Sequence, residues 1–373
     1  MNKILKSKYL KNQYGDSFIF HINNLLKQIV QKTHHFFDVS DDEIEFVALY
    51  KYAELKSNLA TENEGSSKKI IDDLLNAKIE PKNDNEQMIV NLNAVYQYLD
   101  SAKPNISLKN IKTVYSILET NIEMGANKLD QFPRQHEGEV HNYKTPSPKS
   151  LPNALDTLIQ FINSDELVDN PLLKAHAIHI CWIYYHPTYD FNGRVGRILA
   201  YWYLILHLDK GWYFIAQSIS SSLVLVRKKY IKLWDEVRKK KDDVKLISIL
   251  LDFVQKVNGS YCIILLKIIV FLEKKKLEKQ KIHLTPIQMM ILTTLAVYNK
   301  QVNVMEIEKL IDSGLSKAGI HKAVTQLVDL KLLKSTQSGR NVIYAVNIER
   351  MGITVKDLNN INNLWHDISK IVW

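Results

Sequence analysis

The stretch from His186 to Arg197 constrains this chain more than any other, because of what flanks it. Pro171–Tyr185 before it and Val195–Leu208 after it are apolar on nearly every side, the pattern of buried helices. The short polar run joining them holds an imidazole, a carboxylate, an Asn, a Gly and two guanidiniums, which a buried connection does not carry without a use for them. Pro187 stops the first helix just after His186, and Asn192-Gly193 makes a turn. A second helix is expected to start near Gly193. Its first amides have no intrahelical acceptor and lie at the positive end of the helix dipole, an arrangement that binds phosphate. Arg194 and Arg197 share a face of the first turn, where two cations oppose the dipole unless an anion lies between them. Asp190 is a hard oxygen ligand suited to Mg²⁺ on a polyphosphate. His186 is the group of this stretch whose pKa suits general-base work near neutrality. These residues predict a site for a nucleotide phosphate, a divalent cation and a proton acceptor. The plainer alternative is a helix-terminal histidine beside two surface arginines.

At these positions the chain resembles the Fic-domain proteins, whose signature reads His-Pro-Phe-x-Asp/Glu-Gly-Asn-Gly-Arg-x-x-Arg. His186, Pro187, Asp190, Asn192, Gly193, Arg194 and Arg197 fall on signature positions. Thr188 stands where the signature has Phe, and Phe191 where it has the first Gly. The resemblance implies a mainly α fold, a Fic-type helical core with a small β-hairpin flap. It implies a protein adenylyltransferase that moves AMP from ATP to a Ser, Thr or Tyr hydroxyl of a target protein. By position, His186 would deprotonate that hydroxyl and Asp190 would hold Mg²⁺. The amides around Asn192 and Gly193, including that of Phe191, would form the anion hole, and Arg194 and Arg197 would grip the β- and γ-phosphates. A backbone N–H survives the change from Gly to Phe, but a positive φ at Phe191 would be costly.

Many proteins of this kind carry an inhibitory helix with the pattern Ser/Thr-x-x-x-Glu-Gly/Asn. Asn58-Leu59-Ala60-Thr61-Glu62-Asn63 resembles it, with Asn58 in place of the hydroxyl residue. The resemblance then sets Glu62 against Arg197, where one carboxylate competes with one phosphate for a guanidinium. Glu64-Gly65 is the alternative register, and a solvated acidic helix end is the alternative without regulation.

Composition narrows the rest. A chain of 373 residues exceeds one typical core, and 46% hydrophobic with 24% charged residues is ordinary for a globular protein. Cys181 and Cys262 both lie in apolar stretches and suggest no disulfide framework, which leads to the expectation of a reducing, cytoplasmic setting. No secretory signal is expected at the N-terminus, and the longest apolar run, Ile263–Leu272, is broken by Lys267 and too short to span a bilayer. The net charge of +9 is weak evidence for an acidic partner in a chain this long.

Periodicity predicts helices over Ser17–Thr33, Glu43–Ala60, Lys68–Leu75, Lys82–Leu99, Ser107–Glu119 (with Ser107 as N-cap) and Pro152–Ile162. Further helices are expected over Leu223–Val237 and Val244–Leu272. Gly125–Pro148 turns polar and Pro-rich. The resemblance places the flap there, with Phe132, Arg134 and Val140 compatible with target docking by strand pairing. His176, His179 and His186 open a rival reading as a metal stripe, but no carboxylate cluster completes it.

From Leu284 a new module starts: helices over Thr285–Tyr298, Val304–Ile311 and Ser316–Leu330, a strand over Leu332–Ser335, a turn over Thr336–Arg340 and a strand over Val342–Val346. This order reads as a winged helix-turn-helix. Its third helix carries Lys317, His321 and Lys322 and its wing Arg340, which could contact DNA, although such modules also bind proteins. The expected domains are an N-terminal helical region with the inhibitory helix over 1–100, a catalytic core over 101–275, the winged helix over 283–348 and a helical tail over 349–373. The partner expected is a hydroxyl-bearing target protein, which can be the chain itself, with DNA through the winged helix and a homodimer left open and no membrane. The rival functions are a nucleotide-sensing winged-helix regulator with a degraded Fic site, and a Fic enzyme that transfers another group or removes AMP.

Overall fold

A computed structural model describes residues 54–55, 57–59, 68–123, 132–137, 139–140, 143–166, 171–207, 216, 219–220, 223, 270, 273–274, 277–298, 301–311, 317–347 and 349–350. The described residues up to Leu223 belong to one compact unit and those from Val270 onward to another. Glu62, Glu64, the helix expected over Ser17–Thr33 and nearly all of the segments expected as helices over Leu223–Val237 and Val244–Leu272 lie outside the described residues.

The first unit is helical. Residues 54–55 and 57–59 are in helix, followed by α1 (Lys68–Leu75), α2 (Asp84–Ala102) and α3 (Leu108–Glu119). A two-stranded antiparallel hairpin comes next, β1 (Glu139–Val140) with β2 (Tyr143–Lys144). Then come α4 (Leu151–Ile162), α5 (Pro171–Tyr185) and α6 (Asn192–His207). The helix starts follow local chemistry. Asn83 caps α2 through its side chain to the Glu86 amide, and Ser107 caps α3 through Asn110, as its place after Pro104 predicts.

α5 and α6 form the centre of this unit, with α4 against α5, and α2 against both α1 and α3. Trp182 of α5 and Tyr201, Trp202 and Tyr203 of α6 are fully buried, which explains why both segments are apolar all round. Polar ties fix the outer helices to this pair. The Trp202 indole N–H donates to Pro104 O at 2.7 Å, the Tyr201 hydroxyl donates to Asp100, and Tyr96 meets Tyr201 edge to face at 4.9 Å. Among the described residues no helix is long and apolar enough to cross a membrane.

The second unit contains α7 (Pro286–Tyr298), α8 (Val304–Ile311), α9 (Lys317–Asp329), β3 (Leu333–Ser338) and β4 (Asn341–Val346). Two reciprocal caps start its helices, Thr285 with Gln288 and Asn303 with Glu306. Ile291, Leu292, Leu295, Ile307, Ile320, Val324 and Leu327 make its core. The hairpin packs on α7, α8 and α9, and Tyr344 bridges to Val302. The hairpin turn is tighter than expected. Thr336, Gln337 and Ser338 continue β3 opposite Ile343, Val342 and Asn341, which leaves only Gly339-Arg340 at the tip. Gly339 takes φ 59, a value open to glycine, so the chain reverses there without the longer polar loop.

Candidate active site

α5 ends where Pro187 follows His186, and α6 begins at Asn192, so the intervening loop is pinned between two buried helices. His186 is the last residue carried by α5: its amide still donates to Trp182 O at 2.9 Å, while its own φ has swung to 50°. That left-handed backbone is uncommon for a side chain larger than Gly and needs outside support. Arg134 supplies it. Its Nε donates to His186 O at 2.7 Å, and its backbone amide donates to Pro187 O at 2.8 Å. Its two terminal nitrogens donate to His136 O and Pro146 O, so one buried guanidinium ties the loop to the segments on both sides of the hairpin. The half-buried His186 ring has Nδ1 3.4 Å from Ile183 O. A carbonyl only accepts, so this contact favours the tautomer with the hydrogen on Nδ1.

Thr188 is buried without an aromatic ring. It builds a polar knot with Asn192 instead: its amide donates to Asn192 Oδ1 at 3.1 Å, and the Asn192 amide nitrogen donates back to Thr188 O at 2.7 Å. The Thr188 hydroxyl reaches both Asn192 Oδ1 at 2.6 Å and Asp190 O at 2.7 Å, with one proton to share between them. Phe191 has φ 60, the conformation that the sequence marks as costly there. Its amide donates to Asp190 Oδ1 at 2.7 Å, and its carbonyl accepts the first bond of α6 from Val195. The amides of Asn192, Gly193 and Arg194 thus precede the first intrahelical bond. Asp190 itself is exposed, and its second carboxylate oxygen is a hard donor of the type that Mg²⁺ prefers.

Arg194 is buried, with its guanidinium carbon 5.2 Å above the Phe191 ring. Arg197 is 0% exposed and faces the N-terminal segment. Its Nη2 donates to Asn58 Oδ1 at 2.8 Å and to Asn58 O at 3.3 Å, and its Nε reaches Asn58 Oδ1 at 3.3 Å. Behind Asn58 the network continues. Asn58 Nδ2 donates to the Tyr96 hydroxyl at 3.0 Å, and that hydroxyl donates to Glu54 Oε1 at 3.3 Å. Glu54 also accepts from the Ser220 amide at 2.8 Å and from the Ser220 hydroxyl. Burial pushes the Glu54 carboxyl up to about 7, against the Ser220 hydrogen bonds, the Arg197 charge and the Tyr96 hydroxyl, all of which hold it down.

The α5–α6 contact next to Arg197 depends on a glycine. A Cβ on Gly196 would stand 2.9 Å from His179 Cδ2 and 3.3 Å from both His179 O and Ile183 Cγ1. His179 is itself fully buried. Gly196→Ala gains up to about 1 kcal/mol of helix propensity, but overpacking costs roughly 1–3 kcal/mol. The expected result is a lower unfolding midpoint in thermal or denaturant melts; a midpoint equal to or above wild type would mean that the helices separate there without cost.

The structure brings His186, Asp190, Phe191, Asn192, Gly193, Arg194 and Arg197 together at one loop–helix junction. Phe132 and Arg134, read as compatible with target docking by a flap, are buried. Among the described residues no cluster of three or more His, Cys, Asp or Glu could hold an ion, and His176 and His179 of the histidine stripe are buried in the helix packing. Lys317, His321, Lys322 and Arg340 are exposed in the second unit. The sequence left Glu54, Tyr96 and Ser220 without a role. The spacing of Glu54 and Asn58, one helical turn apart beside Leu55 and Leu59, is the signal that could have drawn attention to Glu54.

The sequence model of the Fic/DOC family matches residues 105–204. No curated protein matches the chain. Among solved structures, similarity is found to a Fic family protein from Desulfovibrio desulfuricans G20, 13% identical, covering 87% of this chain and 95% of that one with a TM-score of 0.49. A Fic-1 fragment from C. elegans is 15% identical over 68% of this chain and 76% of its own, with a TM-score of 0.46. A Fic domain containing signaling protein from Bacteroides thetaiotaomicron is 13% identical over 65% of this chain and 95% of its own, with a TM-score of 0.45. The matched span takes in α3, the hairpin, α4, α5 and most of α6, with the signature loop inside it, so residues 105–204 are a Fic/DOC family domain and the chain is a Fic-domain protein.

Proposed function

We propose that the chain is a protein adenylyltransferase that transfers AMP from ATP to a hydroxyl side chain of a target protein and is restrained by its own N-terminal segment. The observation that carries this reading is the junction of α5 and α6, where an imidazole, a helix N-terminus and two arginines meet. In the reaction His186 Nε2 takes the proton of the target hydroxyl. The oxygen bonds to the α-phosphorus of ATP, and the bond to the β-phosphate oxygen breaks to release pyrophosphate. The amides of Asn192, Gly193 and Arg194 and the two guanidiniums hold the negative charge on the phosphates. Asp190 would hold Mg²⁺, which neutralises part of that charge.

Restraint is supported by Asn58, whose side chain and carbonyl already engage the Arg197 guanidinium. Glu62 follows Asn58 by four residues, so the carboxylate of the inhibitory pattern belongs to the same segment. The test is incubation with Mg²⁺ and ATP labelled at the α-phosphate, followed by autoradiography of the protein and of a cell lysate. Glu62→Gly is expected to raise label transfer about tenfold or more, the worth of a charge-assisted hydrogen bond removed from Arg197. Activation by Glu64→Gly alone would move the register by two residues. No transfer by any variant, with ATP still bound, would turn the reading to a nucleotide-sensing regulator. The exposed Lys317, His321 and Lys322 on α9, with Arg340 at the hairpin tip, favour a DNA-binding winged helix as its output.

A further inference from the structure

We infer that Phe191 is a positioning residue for Arg194: its ring is the platform that sets the plane of the guanidinium toward the bound phosphates. The inference rests on the anion-binding part of the proposed function, and its readout is independent of AMP transfer. Three observations carry it. Phe191 holds φ 60 although it is not Gly, so the local backbone works against this residue and the gain must come from the side chain. That side chain is only 6% exposed, with the Tyr115 ring 6.0 Å away on α3. Tyr115 lies 6.4 Å from Phe132, and Phe132 stacks on Trp182 of α5 at 6.3 Å, so the Phe191 ring is the outer member of an aromatic row rooted in the core. The Arg194 guanidinium then lies over the Phe191 ring at 5.2 Å.

Thr188 completes the argument. It offers no ring to the core and instead binds Asn192 and the Asp190 carbonyl. The aromatic anchor of this loop therefore stands at 191, three residues later, where it also meets Arg194. A guanidinium lying over a ring keeps its in-plane N–H groups directed outward at the edge, the geometry that bidentate phosphate recognition needs. A glycine at 191 would relax the backbone but leave Arg194 with no such surface.

The experiment is calorimetric titration of the full chain with inorganic tripolyphosphate, with ATP steady-state kinetics alongside. Phe191→Leu keeps the backbone strain and much of the volume but loses the π face. It is expected to bind tripolyphosphate about tenfold more weakly, and to raise KM for ATP by a similar factor with kcat within about twofold. Phe191→Gly should also lose affinity despite relief of the positive φ, whereas Phe191→Tyr, which restores the face, should recover it. Leu and Gly variants that bind as wild type would overturn the inference, as would a Tyr variant that binds as poorly as Leu while melting at the wild-type temperature. Failure of both wild type and Glu62→Gly to bind tripolyphosphate overturns the anion site and this inference with it. Wild type that binds but transfers no AMP defeats the proposed chemistry and leaves the role of Phe191 standing.

Discussion

His186→Ala is expected to lower AMP transfer by roughly 10²- to 10⁴-fold, the usual worth of a positioned general base. Nucleotide affinity and the unfolding midpoint should both stay near wild type. The separation follows from how the residue is held. Everything that fixes its backbone is independent of the ring: the amide bond to Trp182 O, the carbonyl bond from Arg134 Nε and the tether of Pro187 O to the Arg134 amide. Alanine, like histidine, carries a Cβ, so the variant does not relieve the strain at φ 50. In the proposed reaction the phosphates are held by other groups, the start of α6 and the two arginines. Label transfer from α-labelled ATP measures the first quantity and calorimetry with ATP the second. Transfer that persists within tenfold of wild type would mean that another group takes the proton, and loss of ATP binding would mean that the ring supports the anion site rather than the chemistry.

The parts of this site that could be read from the sequence are the parts made locally. Pro187, Asn192, Gly193 and the two arginines act within a few residues of one another, and the helix dipole and three-residue spacing are properties of any chain that folds this way. The same holds for the Ser107 cap and for the bounds of α1, α4 and α8, which follow from periodicity. What was not legible is long-range. Arg134 reads as a flap residue because its partners, His186 O and Pro187 O, are backbone atoms more than fifty positions away, and carbonyls leave no mark in composition. Asn58 stands 139 positions from Arg197, and Glu54 stands 166 from Ser220. The backbone at Phe191 lay between these cases: a residue at a glycine position raised the question of a positive φ, but only the packing on Tyr115 and Arg194 answers how that conformation is held.

Arg197→Ala is expected to destabilise the first unit by about 3–5 kcal/mol, because it removes one member of a buried charged network and leaves the others behind. Asn58 would lose the partner of both its oxygens, and Glu54 would lose the nearby cation that helps to hold its carboxyl down. The deficit should depend on pH in a definite direction. The Glu54 carboxyl is raised from 4.5 to about 7 in the fold. Between those values the native state keeps a proton that the unfolded chain has released, so the Glu54 contribution to stability falls as pH rises through this window and levels off above it. At pH 5 Glu54 already carries its proton and needs no cation, whereas at pH 8 it relies on Arg197. The Arg197→Ala deficit should therefore be larger at pH 8 than at pH 5, and part of it should vanish when Glu54→Gln is combined with it. Glu54→Gln alone should stabilise the protein at pH 8 by up to about 3 kcal/mol and change little at pH 5. The buried histidines work in the opposite sense. Burial pushes His176 down to about 4 and His179 down as well, so their contribution is lost as pH falls below the usual histidine range. Their slope opposes that of Glu54 in wild type and should stand out once Glu54→Gln removes its counterpart. Denaturant melts of the four proteins (wild type, both single variants and the double variant) at pH 5 and pH 8 decide the matter. An Arg197→Ala deficit of the same size at both pH values, unchanged by Glu54→Gln, would show that Glu54 and Arg197 are not coupled and that the network around Asn58 is packing rather than charge.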